Sequence, residues 1–478
     1  MSFSSVLRVD GLSVHAGSRT LLRDIHFELP ASSCLTLVGE SGAGKSLLAQ
    51  AVMGNLPAGL QARGHVLLQG LSSRAQDTQA RRPLWGRTLA LLPQEPALAL
   101  DPLMRLAPQL AEVHAALHRQ PPAQARASAR HGLQGAGLDQ AAQHYPWQLS
   151  GGMAQRAAAA MALAGGAQVL LADEPTKGLD RYWQDQTLAT MQALMHAGGA
   201  IITITHDLRV ARALGGQLMV LKDGAVVEQG ETAAVLRAPQ HDFTRRLLAA
   251  DPAHWPHRPA SPIGDWVLQA HGLRKSFGNR PLFSALDLVL RRGERLVVQG
   301  PSGIGKSTLG NVLLGLHPAD AGSIIRAPGV PPWALQKLFQ DPGASWPPHT
   351  TLERSLRDIA ALRQQPWPSV LRWLDKLQLS HALLQRRPHQ VSGGELQRLS
   401  LVRVLAAQPA LVFADEPTSR LDPITQQETL AVLLDAMDEI QAALLLVTHD
   451  ADIARAVHTR TLRPWQDTQT AEQAPHLA

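Results

Sequence analysis

The chain has 478 residues, 45% of them hydrophobic and 18% charged, and its 45 Lys and Arg against 39 Asp and Glu leave a formal net charge of +6. That composition excludes a disordered chain, and the basic excess, spread without a run of five or more, excludes the concentrated tail of a nucleic-acid binder, so no nucleic-acid partner is expected. No stretch reaches the ~18 to 20 apolar residues of a membrane span, and residues 1–10 lack the basic-then-apolar order of a leader, so the chain is expected to be cytosolic.

In chain order, the apolar run CLTLVG (34–39) predicts a buried strand containing Cys34, the single cysteine, as a small core residue. It runs into GESGAGKS (39–46), which predicts a phosphate-binding loop followed by a helix. In such a loop Gly39, Ser41, Gly42 and Gly44 let successive backbone N–H groups face phosphate, Lys45 neutralises charge, and the Ser46 hydroxyl binds magnesium. LLPQEP then supplies Gln94, and residues 103–148 lack strand runs and read as largely helical. LSGGMAQR supplies Ser150, Gly151 and Gly152. QVLLADEP predicts a buried strand ending at Asp173 and Glu174, KGLD supplies Asp180, and AIITITHD predicts a strand ending near His206. QLMVLKDGAVVEQG (217–230) completes the first sheet.

DPAHWPHRPASPIGDW (251–266) has several prolines and neither helical nor strand period, and reads as a short exposed linker. The expected domains are therefore 1–250 and 267–478, separated by 251–266. Beyond the linker the motifs repeat in the same order. RLVVQG leads into GPSGIGKS and Thr308, giving Gly300, Ser302, Gly303, Gly305, Lys306 and Ser307. KLFQDP gives Gln340, residues 352–390 read as helical, and VSGGELQR gives Ser392, Gly393 and Gly394. ALVFADEP ends in Asp415 and Glu416, SRLD gives Asp422, and ALLLVTHD gives His449. The interval between copies is 261 at Lys45 and Lys306, 246 at Gln94 and Gln340, and 242 at Glu174 and Glu416. A net loss of 15 residues thus falls between Lys306 and Gln340, in the strand-and-loop region after the second phosphate loop. Short apolar runs flanked by helical segments predict an α/β fold, each half a mostly parallel sheet with helices on both faces.

The order of phosphate loop, glutamine, SGG-x-x-QR, apolar-DEP, SRLD-type loop and THD resembles the ATP-binding cassette (ABC) family, twice over and across almost the whole chain. The resemblance implies two P-loop NTPase nucleotide-binding domains of the ABC type, each a RecA-like core with an inserted helical subdomain, using ATP and Mg2+. It implies that Asp173 and Asp415, with Ser46, Gln94, Ser307 and Gln340, serve the magnesium ion. Glu174 and Glu416 would be the bases that orient water, and His206 and His449 would link the γ-phosphate to them. Asp180 and Asp422 match the D-loop aspartate, although Gly178 and Arg420 replace the small residue usual beside it. By resemblance the two cassettes form an internal head-to-tail pseudo-dimer. Lys45, Gln94, Glu174 and His206 would be completed by Ser392–Gly394, and Lys306, Gln340, Glu416 and His449 by Ser150–Gly152. The family stacks adenine on an aromatic ring before the loop. Phe277 fills that place in the second half, Ala16 in the first, with His15 the nearest ring, so weaker ATP binding is expected at the first site.

With no membrane span, such a pair could energise import through two integral-membrane permease subunits and an extracytoplasmic solute-binding protein, or act on the ribosome as a soluble tandem ATPase. Ribosome-associated relatives carry a long charged helical connector between cassettes, and residues 251–266 are neither long nor helical in pattern. APQHDFTRRLLAADP (238–252) resembles the stretch that ends cassettes of oligopeptide, dipeptide and nickel importers, with Asp242 in place of proline and Phe243 in place of tyrosine. The same stretch disfavours a tandem exporter or a vitamin-uptake ATPase. The expectation is an ATPase of a peptide, nickel or metal-chelate importer, peripheral on the cytoplasmic side of the inner membrane.

Overall fold

The computed structural model of the chain describes residues 5–463 apart from 260, 279, 301, 302 and 420. It divides into two compact units, Met1–Ala249 and Ala250–Ala478. The first unit has strands β1 (Ser5–Ala16), β2 (Arg19–Pro30), β3 (Cys34–Gly39), β4 (Leu60–Leu68), β5 (Leu71–Arg74), β6 (Leu89–Leu92), β7 (Val169–Asp173), β8 (Ala200–Ile204), β9 (Gln217–Lys222) and β10 (Ala225–Glu231). One sheet runs β10-β9-β3-β8-β7-β6 and is parallel except for the β9–β10 hairpin. Every residue of β3, β7 and β8 is buried, which is why their sequences are continuous apolar runs: one face packs on helices, and the other on the helix Lys45–Met53 and a second sheet. Burial also pushes the Cys34 thiol up to about 12, as befits an inert core residue. A second, antiparallel sheet runs β2-β1-β4-β5, and there Leu7, Val9, Leu12 and Val14 face the core from β1. This layer of half-buried strands was not separable from the parallel core by motif reading alone.

The second unit has β11 (Trp266–Phe277), β12 (Arg280–Arg291), β13 (Arg295–Val298), β14 (Ala321–Arg326), β15 (Leu335–Leu338), β16 (Leu411–Asp415), β17 (Ala443–Val447) and β18 (Arg460–Leu462). Its sheets run β12-β11-β14, antiparallel, and β15-β16-β17-β13-β18, parallel. The shortened stretch is visible here. The first unit places β4, β5 and the helix Thr78–Arg81 before β6, while the second has β14 and the short turn Pro332–Ala334 before β15. The regions read as helical contain Leu106–His118 and Pro122–Gly135 in one unit, and Leu352–Leu362 and Trp367–Lys376 in the other. Among the described residues no helix is long and apolar enough to cross a membrane.

Most of the described residues of 251–266 are exposed, but the stretch is anchored to the second unit at Trp255 and Arg258. Trp255 is only 8% exposed within the core of the second unit, and its indole N–H donates to the Ala250 carbonyl at 3.1 Å. Arg455 donates to the carbonyls of Pro252, Ala253 and Trp255. The Arg258 amide donates to Ala456, and its guanidinium reaches Asp435 and Asp438, both at 2.7 Å. Irregular backbone leaves carbonyls without partners; here arginine side chains supply them in and just after the 3-10 turn Pro252–His254. Trp255→Ala should cost the second unit about 3 kcal/mol in denaturant unfolding, the loss of a buried tryptophan. A change within about 0.5 kcal/mol, the effect expected at an exposed position, would sink the assignment.

Candidate functional site

In the first unit β3 delivers the chain into the glycine loop, and the helix Lys45–Met53 starts immediately after it. Gly44 caps that helix at φ 98, where a side chain would be strained, and a Cβ there would lie 2.5 Å from Leu22 Cδ2. Lys45 is buried, and its Nζ donates to the carbonyls of Gly39 and Glu40 at 2.8 Å each. The helix start adds unpaired N–H groups and a positive dipole end, a natural place for phosphate. A cavity of about 750 Å³ opens here, and Ser41, Gly42, Gly44, Lys45, Ser46, Gln94, Asp173, Glu174 and His206 all line it. Gly39 lies at the end of the buried strand below. Sequence reasoning had not reached Arg19, Thr20, Asp223 and Gly224, which line the same cavity from the β1–β2 and β9–β10 hairpins.

Burial raises the Asp173 carboxyl above its usual range, opposed by a hydrogen bond from Ser46 and the charge of Lys45. The next residue, Glu174, turns out of the strand at φ 54. Burial pushes its carboxyl up to about 7, against the nearby charges of Lys177 and Lys45. His206 Nε2 lies 3.2 Å from Glu174 Oε1, yet that oxygen is buried and makes no hydrogen bond.

The second unit repeats the plan. Gly305 caps Lys306–Leu313 at φ 107, Lys306 Nζ donates to the Gly300 carbonyl at 2.8 Å, and Ser307 and Thr308 open the helix beside it. Asp415 is raised by burial and bonded by Ser307. Glu416 stands at φ 48, with His449 Nε2 2.7 Å from its Oε1 and Gln340 Nε2 donating to its Oε2 at 3.0 Å. Both oxygens of the second glutamate are thus engaged. Gly303 sits in the loop at φ 74, and Ser302 and Arg420 lie outside the described residues.

The remaining candidates stand at helix starts outside the first cavity. Ser150 caps Gly151–Leu163 by accepting the Met153 N–H, and Ser392 caps Gly393–Ala406 through Glu395. Glu395 Oε2 also receives the Ser392 N–H and hydroxyl, both at 2.8 Å, a reciprocal cap for which the first unit has Met153. Asp180 and Asp422 cap the following helices, each accepting an N–H at 3.1 Å. Gly152 is buried, whereas Ser150, Gly151, Ser392 and Gly393 are exposed and Gly394 half-buried. A functional pair passed over in the sequence is Gln155 and Gln397, present in both SGG-x-x-QR strings. Gln155 Nε2 donates to the carbonyls of Glu174 and Pro175 at 3.3 and 3.2 Å, and Gln397 Nε2 to that of Pro417 at 2.7 Å. Each signature helix is thereby tied to the turn that carries the glutamate.

Ala16 pairs with Arg19 to close β1–β2, and Phe277 pairs with Arg280 to close β11–β12, so the two occupy one hairpin position. Phe277 is 61% exposed, as a stacking surface requires. His15 Nδ1 lies 3.2 Å from the Thr20 hydroxyl.

Oxygen donors suited to magnesium, from a serine hydroxyl, a carboxylate and a glutamine amide, meet in the first cavity. Among the described residues no group of three or more His, Cys, Asp or Glu could hold a metal alone. Such a site fits an ion whose remaining ligands are phosphate oxygens and water.

Because the folded carboxyl of Glu174 titrates above its unfolded value, its contribution to stability is complete below pH about 4.5 and is lost as pH rises through about 7. Glu174→Gln cannot ionise, so without nucleotide it should be more stable than the native chain at pH 8, by up to about 3 kcal/mol, and equal to it at pH 4.5. Parallel denaturant curves at the two pH values check this; a gap independent of pH would contradict it.

The ABC transporter family model matches residues 22–177 and 283–419. The uncharacterized ABC transporter ATP-binding protein YejF of Escherichia coli K12 is 33% identical, covering 95% of this chain and 92% of its own. The peptidoglycan transport ATP-binding protein YejF of Agrobacterium fabrum C58 is 32% identical, over 95% and 89%. The glutathione import ATP-binding protein GsiA of Escherichia coli K12 is 33% identical, over 92% and 81%. Among solved structures, the archaeal ribosome recycling factor aABCE1, in complex with stalk protein aP1, aligns with TM-score 0.64 over 95% of this chain and 90% of that one. At 19% identity this likeness concerns fold alone.

Proposed function

This chain belongs to the ABC transporter family and is an ATPase, and from that premise we propose that it energises import of a small solute through separate membrane permeases, with both ATPases fused in one subunit. The observation that carries the reading is the near-full-length match to relatives named for glutathione import and peptidoglycan transport. Glutathione is a small peptide, which favours a peptide-class solute over nickel or a metal chelate. Since no described helix can cross a membrane, the route for solute comes from two integral-membrane permease subunits, served by an extracytoplasmic solute-binding protein. The ATPase then docks peripherally on their cytoplasmic side.

In this reading Lys45 and Lys306 exchange carbonyl partners for phosphate oxygens, and the adjoining helix starts add N–H donors. Ser46, Gln94 and Asp173 hold one magnesium ion, and Ser307, Gln340 and Asp415 the other. When bound, each ion neutralises charge that develops on the phosphates. Glu174 and Glu416 orient the attacking water, and His206 and His449 hold each glutamate toward the γ-phosphate. Ser150–Gly152 and Ser392–Gly394 bind nucleotide at their helix starts, with Asp180 and Asp422 as further contacts. Phe277 stacks adenine in the second site. Closure then follows γ-phosphate and relaxes when it leaves.

Glu174→Gln with Glu416→Gln should lower phosphate release by about 100-fold or more while ATP stays bound in filter assays. Turnover within about tenfold of the native chain would refute the assigned bases. Ala16→Tyr should tighten ATP at the first site by about 1 to 3 kcal/mol, and an unchanged affinity would show that the missing ring is immaterial. For import itself, the chain purified with the permeases encoded beside it should hydrolyse ATP faster when the peptide-loaded binding protein is added. Co-sedimentation with ribosomes and no permease association would overturn the proposal.

A further inference from the structure

A second cavity, of about 530 Å³, lies inside the first unit between the helices Pro122–Gly135, Gly151–Leu163 and Arg181–His196. It is open to solvent and falls within the ~300 to 1,000 Å³ typical of small-molecule sites. Its apolar walls include Leu92, Leu110, Leu163 and Met191. The cause of the space is legible by comparison with the second unit. Counting from Ser150 and Ser392, Ala159 and Ala160 stand where the second unit has Leu401 and Val402, both buried. Counting back from Gly137 and Gln378, which both take positive φ after their helices, Gly132 stands where the second unit has the buried Trp373. The first unit has small residues at three points where its twin is filled.

The charge on the wall has also changed. Arg156 lines the cavity, lies over the Trp183 ring at 3.8 Å, and donates through Nη1 to the carbonyls of Ala136 and Gly137, but its Nε is buried without a hydrogen-bond partner. Its counterpart Arg398 likewise has a buried Nε without a hydrogen-bond partner, but it feels Glu395, Asp422 and Glu428. Around Arg156 only Asp180 remains, because Met153 and Gln186 replace the other two acids. A partly buried guanidinium short of negative charge calls for an anion. His114, across the cavity, likewise carries a buried Nδ1 without a partner.

We propose that this cavity is a binding site for a compact organic carboxylate with an aromatic or branched apolar body, the carboxylate taken by Arg156 and the body by the space that Gly132, Ala159 and Ala160 leave. The site is separate from the nucleotide cavity and does not depend on the transport reading.

The full chain, with saturating ADP covering the nucleotide sites, is titrated calorimetrically with naphthoate and with the neutral naphthylmethanol. Naphthoate should bind once per chain, and the alcohol about tenfold or more weakly, the worth of a charge-assisted contact. Ala159→Leu, which installs the residue of the second unit, should abolish naphthoate binding while circular dichroism shows the fold retained. Arg156→Gln should remove the preference for the acid. No saturable naphthoate binding below millimolar concentration, equal affinity for acid and alcohol, or undiminished binding to Ala159→Leu would each overturn the proposal.

Discussion

Everything around the glycine loops depends on a lysine ammonium held against the backbone carbonyls of the loop it leaves. Lys45 bonds Gly39 and Glu40, and Lys306 bonds Gly300. A buried charge needs such partners, and these ones fix where the helix begins relative to the strand end. The helix start then sets where unpaired N–H groups point, and the parallel sheet places Asp173 or Asp415 at the end of a strand near that point. β3 and β7 both pair with β8, and β13 and β16 both pair with β17, so the loop and the carboxylate emerge on one edge of each sheet.

The turn after the carboxylate is the second constraint. Glu174 and Glu416 occupy positive φ, a conformation that costs a non-glycine residue on the order of 1 kcal/mol and persists only when neighbours enforce it. The neighbours include Gln155 and Gln397, whose amides hold the carbonyls of that turn from the signature helix. A shift of the signature helix is therefore transmitted to the peptide that carries the glutamate. This gives the QR portion of SGG-x-x-QR a physical role distinct from that of the serine at its start.

The legible part of the sequence was the part in which one local pattern serves one purpose. Continuous apolar runs such as VLLAD and ALLLV read as strands covered on both faces, and glycine loops ending in Lys-Ser read as phosphate sites. What escaped reading depends on partners far along the chain. Trp255 gives no periodic signal, and its burial requires the Arg455 side chain, two hundred residues away, to satisfy the neighbouring carbonyls. Gln155 was visible in its motif, but its targets, the Glu174 and Pro175 carbonyls, are set by the fold. The alanines of AAAAMAL give no local sign of the groove that Ala159, Ala160 and Gly132 line together.

The repeated motifs also obscure how far the two units have diverged. In the second, Glu416 is bonded by Gln340 and approached by His449, Ser392 is locked by Glu395, and Phe277 offers an aromatic face. In the first, Glu174 keeps an unbonded oxygen and a carboxyl raised to about 7, Met153 cannot cap Ser150 in return, and Ala16 offers no ring. Each difference removes a partner from the first unit and leaves it in the second. Glu174 takes a hydrogen bond from the His206 backbone and has His206 Nε2 at 3.2 Å, whereas Glu416 accepts from the Gln340 amide and lies 2.7 Å from His449 Nε2. The surroundings of the two glutamates and the residues at the two hairpin positions thus differ, Ala16 in one and Phe277 in the other. Duplication kept the motif letters while the residues around them diverged.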